Sequence, residues 1–265
     1  MSIQAVLEIC LESIDRAVAA ERGGAHRIEL CSDLSCGGIT PSAGLIEAAR
    51  HHLRLPVHVL IRPRAGDFRY SGHEFDVMER DIRMAKNMGM DGIVLGILDE
   101  NARVDVFRTR KLVDLARPLP VTFHRAFDLC QDMDSGLEAV VQTGAARILT
   151  SAGHVRVADG IKTIAHLVRA AGDRIVVMPG GGVNVDNLQL ILQQTCAREI
   201  HASLGLPVTA TNHAALSGLN SGTSPDSSSE FEARIRKIRG TLDALSFEST
   251  EPARHRLPTP TPTEN

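Results

Sequence analysis

Hydrophobic positions along this chain fall into short, β-branched runs that alternate with longer stretches in which apolar residues recur at helical spacing. Eight of the short runs predict strands, at residues 5–10, 27–31, 57–62, 92–96, 121–125, 147–150, 175–179 and 199–203. The stretches between them are rich in Ala, Leu, Glu and Arg, and several stop at a glycine, such as Gly23, Gly89 or Gly144, as helices often do. This alternation predicts an α/β protein with a parallel sheet.

Eight consecutive βα units favour a closed (β/α)8 TIM barrel, which we expect over residues 1–218. An open, doubly wound sheet is the alternative, because it gives a similar pattern with fewer strands. The composition then changes: residues 219–229 are rich in Ser, Gly and Pro, and residues 230–245 have the charged pattern of a helix. We expect a linker and this helix over 219–250, the helix being the eighth of the barrel displaced by an insertion. Residues 251–265 predict a disordered Pro/Thr tail.

Composition excludes several classes of protein. The 265 residues include 29 Lys and Arg against 32 Asp and Glu, a net charge of −3, and only 3% are aromatic, which argues against nucleic-acid binding. No run approaches the ~18 apolar residues of a membrane span. The first ten residues lack the features of a secretion signal, so we expect a cytoplasmic protein. The five cysteines are scattered and odd in number, which predicts free thiols.

Strand alternation predicts which side chains point into the barrel. The apolar side chains must face the covering helices, so Glu8 and Cys10 of the first strand point inward. The second strand repeats the pattern with Glu29 and Cys31. The same rule turns further polar side chains inward, namely His58, Arg62, Thr122, His124, Glu199, His201 and Ser203.

These inward polar residues predict a functional pocket at the carboxyl ends of the strands, where TIM-barrel sites lie. Burying an unpaired carboxylate costs free energy. We therefore expect the acids either to pair with arginines or histidines or to remain hydrated at the mouth of the barrel. The alternative is a buried ionic network with no further role. If the protein is an enzyme, the catalytic candidates are Glu8, Glu29, His124 and His201.

Two inward thiols form a candidate metal site. Cys10 and Cys31 end consecutive strands, which in a parallel sheet lie about 4.8 Å apart, so one ion could bind between them. Soft thiolates select Cu(I) or Zn(II) over hard cations. Cys36, in the following loop, could add a third thiolate. The alternative is that the thiols are small apolar fillers of the core.

A glycine triplet follows the seventh strand and precedes a predicted helix. In TIM barrels this loop commonly binds phosphate through backbone N–H groups and a helix N-terminus, although a tight turn is the alternative. Arginines after strand 3 and hydroxyls after strand 6 would face the same mouth. The residues expected to hold an anion there are Arg62, Arg64, Ser151, Gly180, Gly181 and Gly182.

Several segments carry a resemblance to a known family. They are ELCS at 29–32, TPS at 40–42, IRPRAGDFRYS at 61–71, VTFHRAFD at 121–128, ILTS at 148–151, MPGGGV at 178–183 and EIHAS at 199–203. Through them, residues 7–203 resemble the CutC copper homeostasis family. The resemblance implies a cytoplasmic TIM-barrel protein, usually oligomeric, that is named for copper tolerance and proposed to bind Cu(I). The family's proposed thiol ligands fall on Cys10 and Cys31.

Two hypotheses follow from these observations. The first is a copper homeostasis protein that forms a homo-oligomer and binds a copper ion, as Cu(I), through Cys10 and Cys31. The second is an enzyme, of lyase, isomerase or hydrolase type, that acts on a small anionic or phosphorylated metabolite with His124 or Glu29 as general acid or base. A purely structural module is disfavoured, because many ionisable groups point toward one mouth.

Overall fold

The computed structural model describes residues 5–204 and 228–245. Each predicted strand is present, mostly shortened by one or two residues at an end. The strands are β1 Val6–Leu11, β2 Arg27–Leu30, β3 Val57–Leu60, β4 Gly92–Leu95, β5 Val121–Phe123, β6 Arg147–Thr150, β7 Val176–Pro179 and β8 Glu199–Ala202. The helices of the described residues are α1 Ile14–Gly23, α2 Ala43–His52, α3 Gly72–Asn87, α4 Val106–Ala116, α5 Met133–Thr143, α6 Ile161–Ala171, α7 Val185–Thr195 and α8 Ser228–Ala244.

All strand pairs are parallel, and the strand order is β7-β6-β5-β4-β3-β2-β1-β8. β7 and β8 stand at the two ends of this order, and a parallel bridge between Gly180, which follows β7, and His201 of β8 joins them. The predicted (β/α)8 barrel is therefore confirmed, and the open doubly wound sheet is excluded. No helix of the described ranges has the length and apolar character that crossing a membrane requires.

Local sequence explains where the helices begin and end. Ser13 caps α1 by accepting a hydrogen bond from the backbone N–H of Arg16, and Gly24 ends it in the left-handed conformation, at a φ of 89°. Ser71 and Glu74 form a reciprocal capping box at the start of α3. These signals lie outside the strands, so they leave the strand ends free to build the site.

Apolar side chains divide into two layers, as the alternation of the strands predicts. Leu7, Ile9 and Ile28 belong to the large core between the sheet and the helices. A separate small cluster inside the barrel contains Cys10 and Cys31, together with Leu60 and Val94. The inward direction of the thiols follows from this division.

The last helix completes the helical layer. α8 packs against α1 and α7, and it buries Phe231 and Ile235. A Cβ on Gly23 would lie only 2.8 Å from the Ile235 side chain, so the glycine allows the two helices to approach closely. The predicted linker before this helix and the tail at 251–265 lie outside the described residues, and the domain boundaries stay a prediction.

Candidate functional site

A cavity of about 260 Å³ opens at the carboxyl ends of the strands. It is lined by seven of the predicted site residues: Cys10, Glu29, Cys31, Arg62, His124, Gly181 and His201. Other lining residues include Leu34, Phe68, Arg125, Leu149 and Ser203. The predicted acids, bases and thiols thus meet largely in one place, although the candidates Glu8, Arg64, Ser151, Gly180 and Gly182 lie elsewhere.

The two thiols lie next to each other at the bottom of this cavity. The Sγ atoms of Cys10 and Cys31 are 3.5 Å apart, and the Cys31 thiol is also 3.3 Å from the carbonyl oxygen of Leu11, to which it donates. Both residues are buried and reduced. The hydrogen bond with Cys31, together with burial and the charge of Glu29, raises the pKa of Cys10 well above its ordinary value. A cation that binds Cys10 as a thiolate must therefore displace a proton.

Cys36 is placed differently. It ends a short 3-10 turn, Leu34–Cys36, where its half-buried thiol donates to the carbonyl of Asp33 at 3.1 Å. The backbone carbonyl of Cys36, rather than its thiol, accepts a hydrogen bond from Arg62. The thiol of Cys36 is therefore engaged within its own turn and is not paired with Cys10 or Cys31.

Glu8 belongs to an ionic network beneath the cavity. Arg27 donates from Nε to Glu8, and its Nη2 lies 2.6 Å from Oε2 of Glu199. Arg147 reaches the same Glu199 oxygen at 2.7 Å. Burial alone would raise the pKa of Glu8, but its hydrogen bond with His201 and the charge of Arg27 lower it far below its usual range. The arginine and the histidine therefore stabilise the charged form of Glu8.

His201 lies between two carboxylates. Its Nδ1 is 2.8 Å from Oε1 of Glu8, and its Nε2 is 3.6 Å from Oε2 of Glu29. Burial would lower the pKa of His201, but the bond with Glu8 and the charges of both acids outweigh it and raise the pKa. Burial raises the pKa of Glu29, against the charge of His201. Among the described residues Glu29 has no arginine partner, so it is the carboxylate left available to a ligand.

Three of these side chains form a cluster that could hold a metal ion. One ligand atom from each of Cys10, Glu29 and His201 lies within 4.8 Å of the others, and all three residues are buried. They come from β1, β2 and β8, which are adjacent in the sheet. The arrangement can supply a thiolate, a carboxylate and an imidazole to one ion.

His124 presents an unsatisfied nitrogen. Its Nδ1 accepts a hydrogen bond from the backbone N–H of Ala126 at 3.1 Å, so Nε2 carries the hydrogen of the neutral ring. Nε2 is buried and has no hydrogen-bond partner within the described residues. Burial, with the charge of Arg62, lowers the pKa of His124 to about 3. The ring is therefore neutral at ordinary pH, and it offers a donor rather than a base.

Arg62 forms hydrogen bonds with the loops that follow β2 and β3 at the cavity. Its guanidinium donates to the carbonyls of Cys36, Gly38 and Gly66 at 3.1, 2.8 and 2.8 Å. It also lies over the ring of Phe68, 4.9 Å from the centroid. Much of its hydrogen-bonding capacity is thus used by the protein itself, although the side chain lines the cavity.

Arg64 is not brought to the cavity. Its guanidinium pairs with Glu74 at the start of α3 and with Asp67 of its own loop. These ion pairs are partly exposed to solvent. Arg64 therefore shapes the loop after β3 instead of facing the strand ends.

Ser151 is buried beside the cavity, and its hydroxyl is hydrogen-bonded to Arg125 and Asp128. Arg125 donates to Ser151 Oγ at 2.5 Å and to the Asp128 carboxylate at 2.7 Å. The sequence does not predict Arg125 as a site residue, because the predicted fifth strand, 121–125, includes it as its last residue. β5 ends at Phe123, and Arg125 begins a 3-10 turn that carries it to the mouth.

The glycine triplet makes a tight turn with one residue at the cavity. Gly180 donates to the carbonyl of Thr150, and the carbonyl of Gly182 accepts from Asn187 in the first turn of α7. Gly181 and Gly182 have φ values of 105° and 75°, which favour glycine. Only Gly181 of the three lines the cavity.

Arg27 and Arg147 are functional neighbours that the sequence analysis did not select. Each is the first residue of its strand, at the edge of an apolar run. The alternation contained the signal, because positions 27 and 147 point the same way as Glu29 and Leu149. Arg27 is also the direct register partner of Glu8.

Together, the fold and the site define a TIM-barrel protein with a buried cluster of thiol, carboxylate and imidazole groups at the carboxyl ends of its strands. Residues 5–206 match the sequence model of the CutC family. The chain belongs to the CutC family.

Several known proteins are similar to this chain. The human copper homeostasis protein cutC homolog is 43% identical over 247 residues, which cover 91% of this chain and 89% of that protein. A family protein CutC of Xanthomonas campestris is 46% identical over 208 residues, covering 78% and 87%. The crystal structure of the copper homeostasis protein CutC from Streptococcus agalactiae has a TM-score of 0.72 at 35% identity and covers 75% of this chain and 98% of its own.

More distant structures share the fold alone. Thiamine phosphate pyrophosphorylase from Pyrococcus furiosus has a TM-score of 0.58 at 15% identity and covers 92% of this chain and 97% of its own. Such a likeness confirms the barrel and carries no statement about chemistry.

Proposed function

We propose that this protein acts in copper homeostasis and binds Cu(I) through Cys10 and Cys31 at the mouth of the barrel. The observation that carries the proposal is the pair of buried, reduced thiols with Sγ atoms 3.5 Å apart. The names of its relatives, which are copper homeostasis proteins, support the same function.

The chemistry of the pair suits a soft, monovalent ion. Thiolates prefer Cu(I), whereas hard cations prefer oxygen ligands. Leu60 and Val94 pack against the two thiols, so part of their surroundings is apolar. Cys10 also lines the cavity, so the ion has a route from solvent to the pair.

Competition against a chromophoric Cu(I) chelator, without oxygen, tests the proposal. The Cys10→Ser/Cys31→Ser double variant is expected to lose Cu(I) to the chelator while its circular dichroism stays native. The matched control is Cys130→Ser/Cys196→Ser, which changes one buried and one exposed cysteine away from the pair and is expected to retain Cu(I). Equal Cu(I) affinity in the wild type and the first double variant would contradict the proposal. A single Cys36→Ser variant decides whether a third thiolate takes part.

A second candidate function is an enzyme acting on a small anionic metabolite. It is favoured by the buried Nε2 of His124, which has no hydrogen-bond partner among the described residues and whose ring lines the same cavity as Arg125. A thermal-shift series with inorganic phosphate, phosphorylated sugars and small carboxylates tests it. Stabilisation that His124→Asn removes is the expected result, and a series without any shift would contradict it.

The cytoplasmic location and the homo-oligomer stay predictions that rest on the family. Cell fractionation tests the location, and light scattering with the purified chain tests the oligomer.

A further inference from the structure

The cluster of Cys10, Glu29 and His201 has a different chemistry from the thiol pair. Its donors are one sulfur, one oxygen and one nitrogen, and their atoms lie within 4.8 Å of one another. Cu(I) prefers soft donors, whereas a mixed set of thiolate, carboxylate and imidazole is typical of Zn²⁺. The cluster therefore needs an explanation of its own.

Distances within the cluster are close to those of a coordination sphere. Zn–N and Zn–O bonds of about 2.1 Å place the two atoms about 3.4 Å apart in a tetrahedral site. His201 Nε2 and Glu29 Oε2 are already 3.6 Å apart. The Sγ atom of Cys10 would ideally lie about 3.6 Å from each of the other two ligand atoms, so it has to approach them by at most about 1.2 Å.

The orientation of His201 is the second, independent observation. Its Nδ1 faces the charged carboxylate of Glu8 at 2.8 Å, so Nδ1 carries a hydrogen and donates it. Nε2 then turns its lone pair toward Glu29 and Cys10 when the ring is neutral. Carboxylate–histidine–metal arrangements fix ligands in this way. Arg27 holds Glu8 in turn, so the second layer of contacts is already in place.

Charge balance also favours a divalent ion here. A thiolate and a carboxylate carry two negative charges, which a divalent cation neutralises while the imidazole stays uncharged. A buried site is costly unless its charges cancel.

We infer that Cys10, Glu29 and His201 form a second metal site, selective for a divalent cation of the Zn²⁺ class, with its fourth position open to the cavity. Three protein ligands with an open position are the arrangement of catalytic zinc sites, whereas structural sites are closed by four. The site shares Cys10 with the thiol pair, so the divalent ion and Cu(I) exclude each other.

Four single variants of the full chain separate the two sites. Zn²⁺ affinity is measured by competition with a chromophoric chelator, and Cu(I) affinity is measured as above, without oxygen. Glu29→Gln and His201→Gln are each expected to lower Zn²⁺ affinity by about 100-fold or more, exceeding the loss that accompanies outer-shell changes, and to leave Cu(I) affinity nearly unchanged. Cys31→Ser should lower the Cu(I) affinity and leave the Zn²⁺ affinity nearly unchanged. Cys10→Ser should lower the affinity for both ions.

Co²⁺ supplies a readout that does not depend on these comparisons. We expect a thiolate-to-cobalt charge-transfer band in the wild type and in Cys31→Ser, and its loss in Cys10→Ser. If Zn²⁺ affinity is equal in the wild type, Glu29→Gln and Cys10→Ser, or if Co²⁺ gives no such band in the wild type, the divalent site is overturned. Unchanged Cu(I) affinity in Cys31→Ser would instead count against the proposed function. Should a variant fail to fold, the Co²⁺ spectrum of the wild type still decides.

Discussion

Glu8 and His201 are register partners on the neighbouring strands β1 and β8, and the Nδ1 atom of His201 lies 2.8 Å from the Glu8 carboxylate. The same carboxylate accepts a hydrogen bond from Arg27. One buried acid thus orients an imidazole at the cavity and neutralises an arginine below it. The barrel centre and the site therefore depend on a single side chain.

We expect Glu8→Gln to destabilise the protein by about 3–5 kcal/mol, because it leaves Arg27 buried with reduced compensation. Urea unfolding followed by circular dichroism measures the change. The matched control is Glu138→Gln, whose partner Arg174 is exposed, and it should alter the free energy of unfolding little. Equal effects of the two substitutions would show that the buried network does not stabilise the barrel.

His58 predicts a dependence of stability on pH. Burial lowers its pKa from 6.5 to about 4, against the charge of Glu8. Between pH 6.5 and 4 the unfolded chain binds a proton at His58 and the folded protein does not, so the free energy of unfolding falls as the pH falls. The contribution reaches up to about 3 kcal/mol.

Denaturant titrations of the wild type and His58→Gln across this range measure the contribution. His124 acts in the same direction and remains in the variant, so the variant should lose only part of the slope. A slope that is the same in both proteins would contradict the assignment to His58.

Gly92 lies beside His58 on the inner side of the sheet. A Cβ at this position would come closer to the imidazole ring than real Cβ atoms do, so Gly92→Ala should cost about 1–3 kcal/mol through overpacking. Gly44, in α2, has no atom within 4 Å of its Cβ position. Thermal unfolding should show Gly44→Ala neutral or stabilising, by up to about 1 kcal/mol. The prediction fails if Gly92→Ala is as well tolerated as Gly44→Ala.

Phe231 packs α8 against the barrel, so its substitution tests how much α8 contributes to the free energy of unfolding. It is 0% exposed, so we expect Phe231→Ala to destabilise the protein by about 3–5 kcal/mol. Phe107 is 81% exposed, and the same substitution there should change stability little. Calorimetry of both variants tests the contrast. A low cost for Phe231→Ala would mean that the barrel folds without its last helix.

Sequence patterns predicted the barrel well, because strand alternation is a local property. The inward direction of Cys10 and Glu29 follows from the apolar residues beside them, without knowledge of any partner. The inner cluster shows that this inference holds for the thiols and for Leu60.

Pairing between distant residues was harder to predict. Arg62 was expected to hold an anion, yet it donates to three loop carbonyls, which depend on backbone geometry rather than on residue type. Arg125 reaches the mouth only because β5 ends before it. Long-range contacts of this kind depend on where each strand stops, and strand ends are the least certain part of a sequence pattern.

The bridge between Gly180, which follows β7, and His201 of β8 joins the two strands at the ends of the sheet order and so closes the ring of strands. His201 takes part in this bridge and also lines the cavity. An ion bound by its imidazole would therefore also stabilise the contact that closes the barrel. Occupancy and folding are then thermodynamically linked, and the loaded protein should resist unfolding more strongly than the empty one. In a cell that supplies more metal, a larger fraction of the protein would be metal-bound and therefore more stable against unfolding.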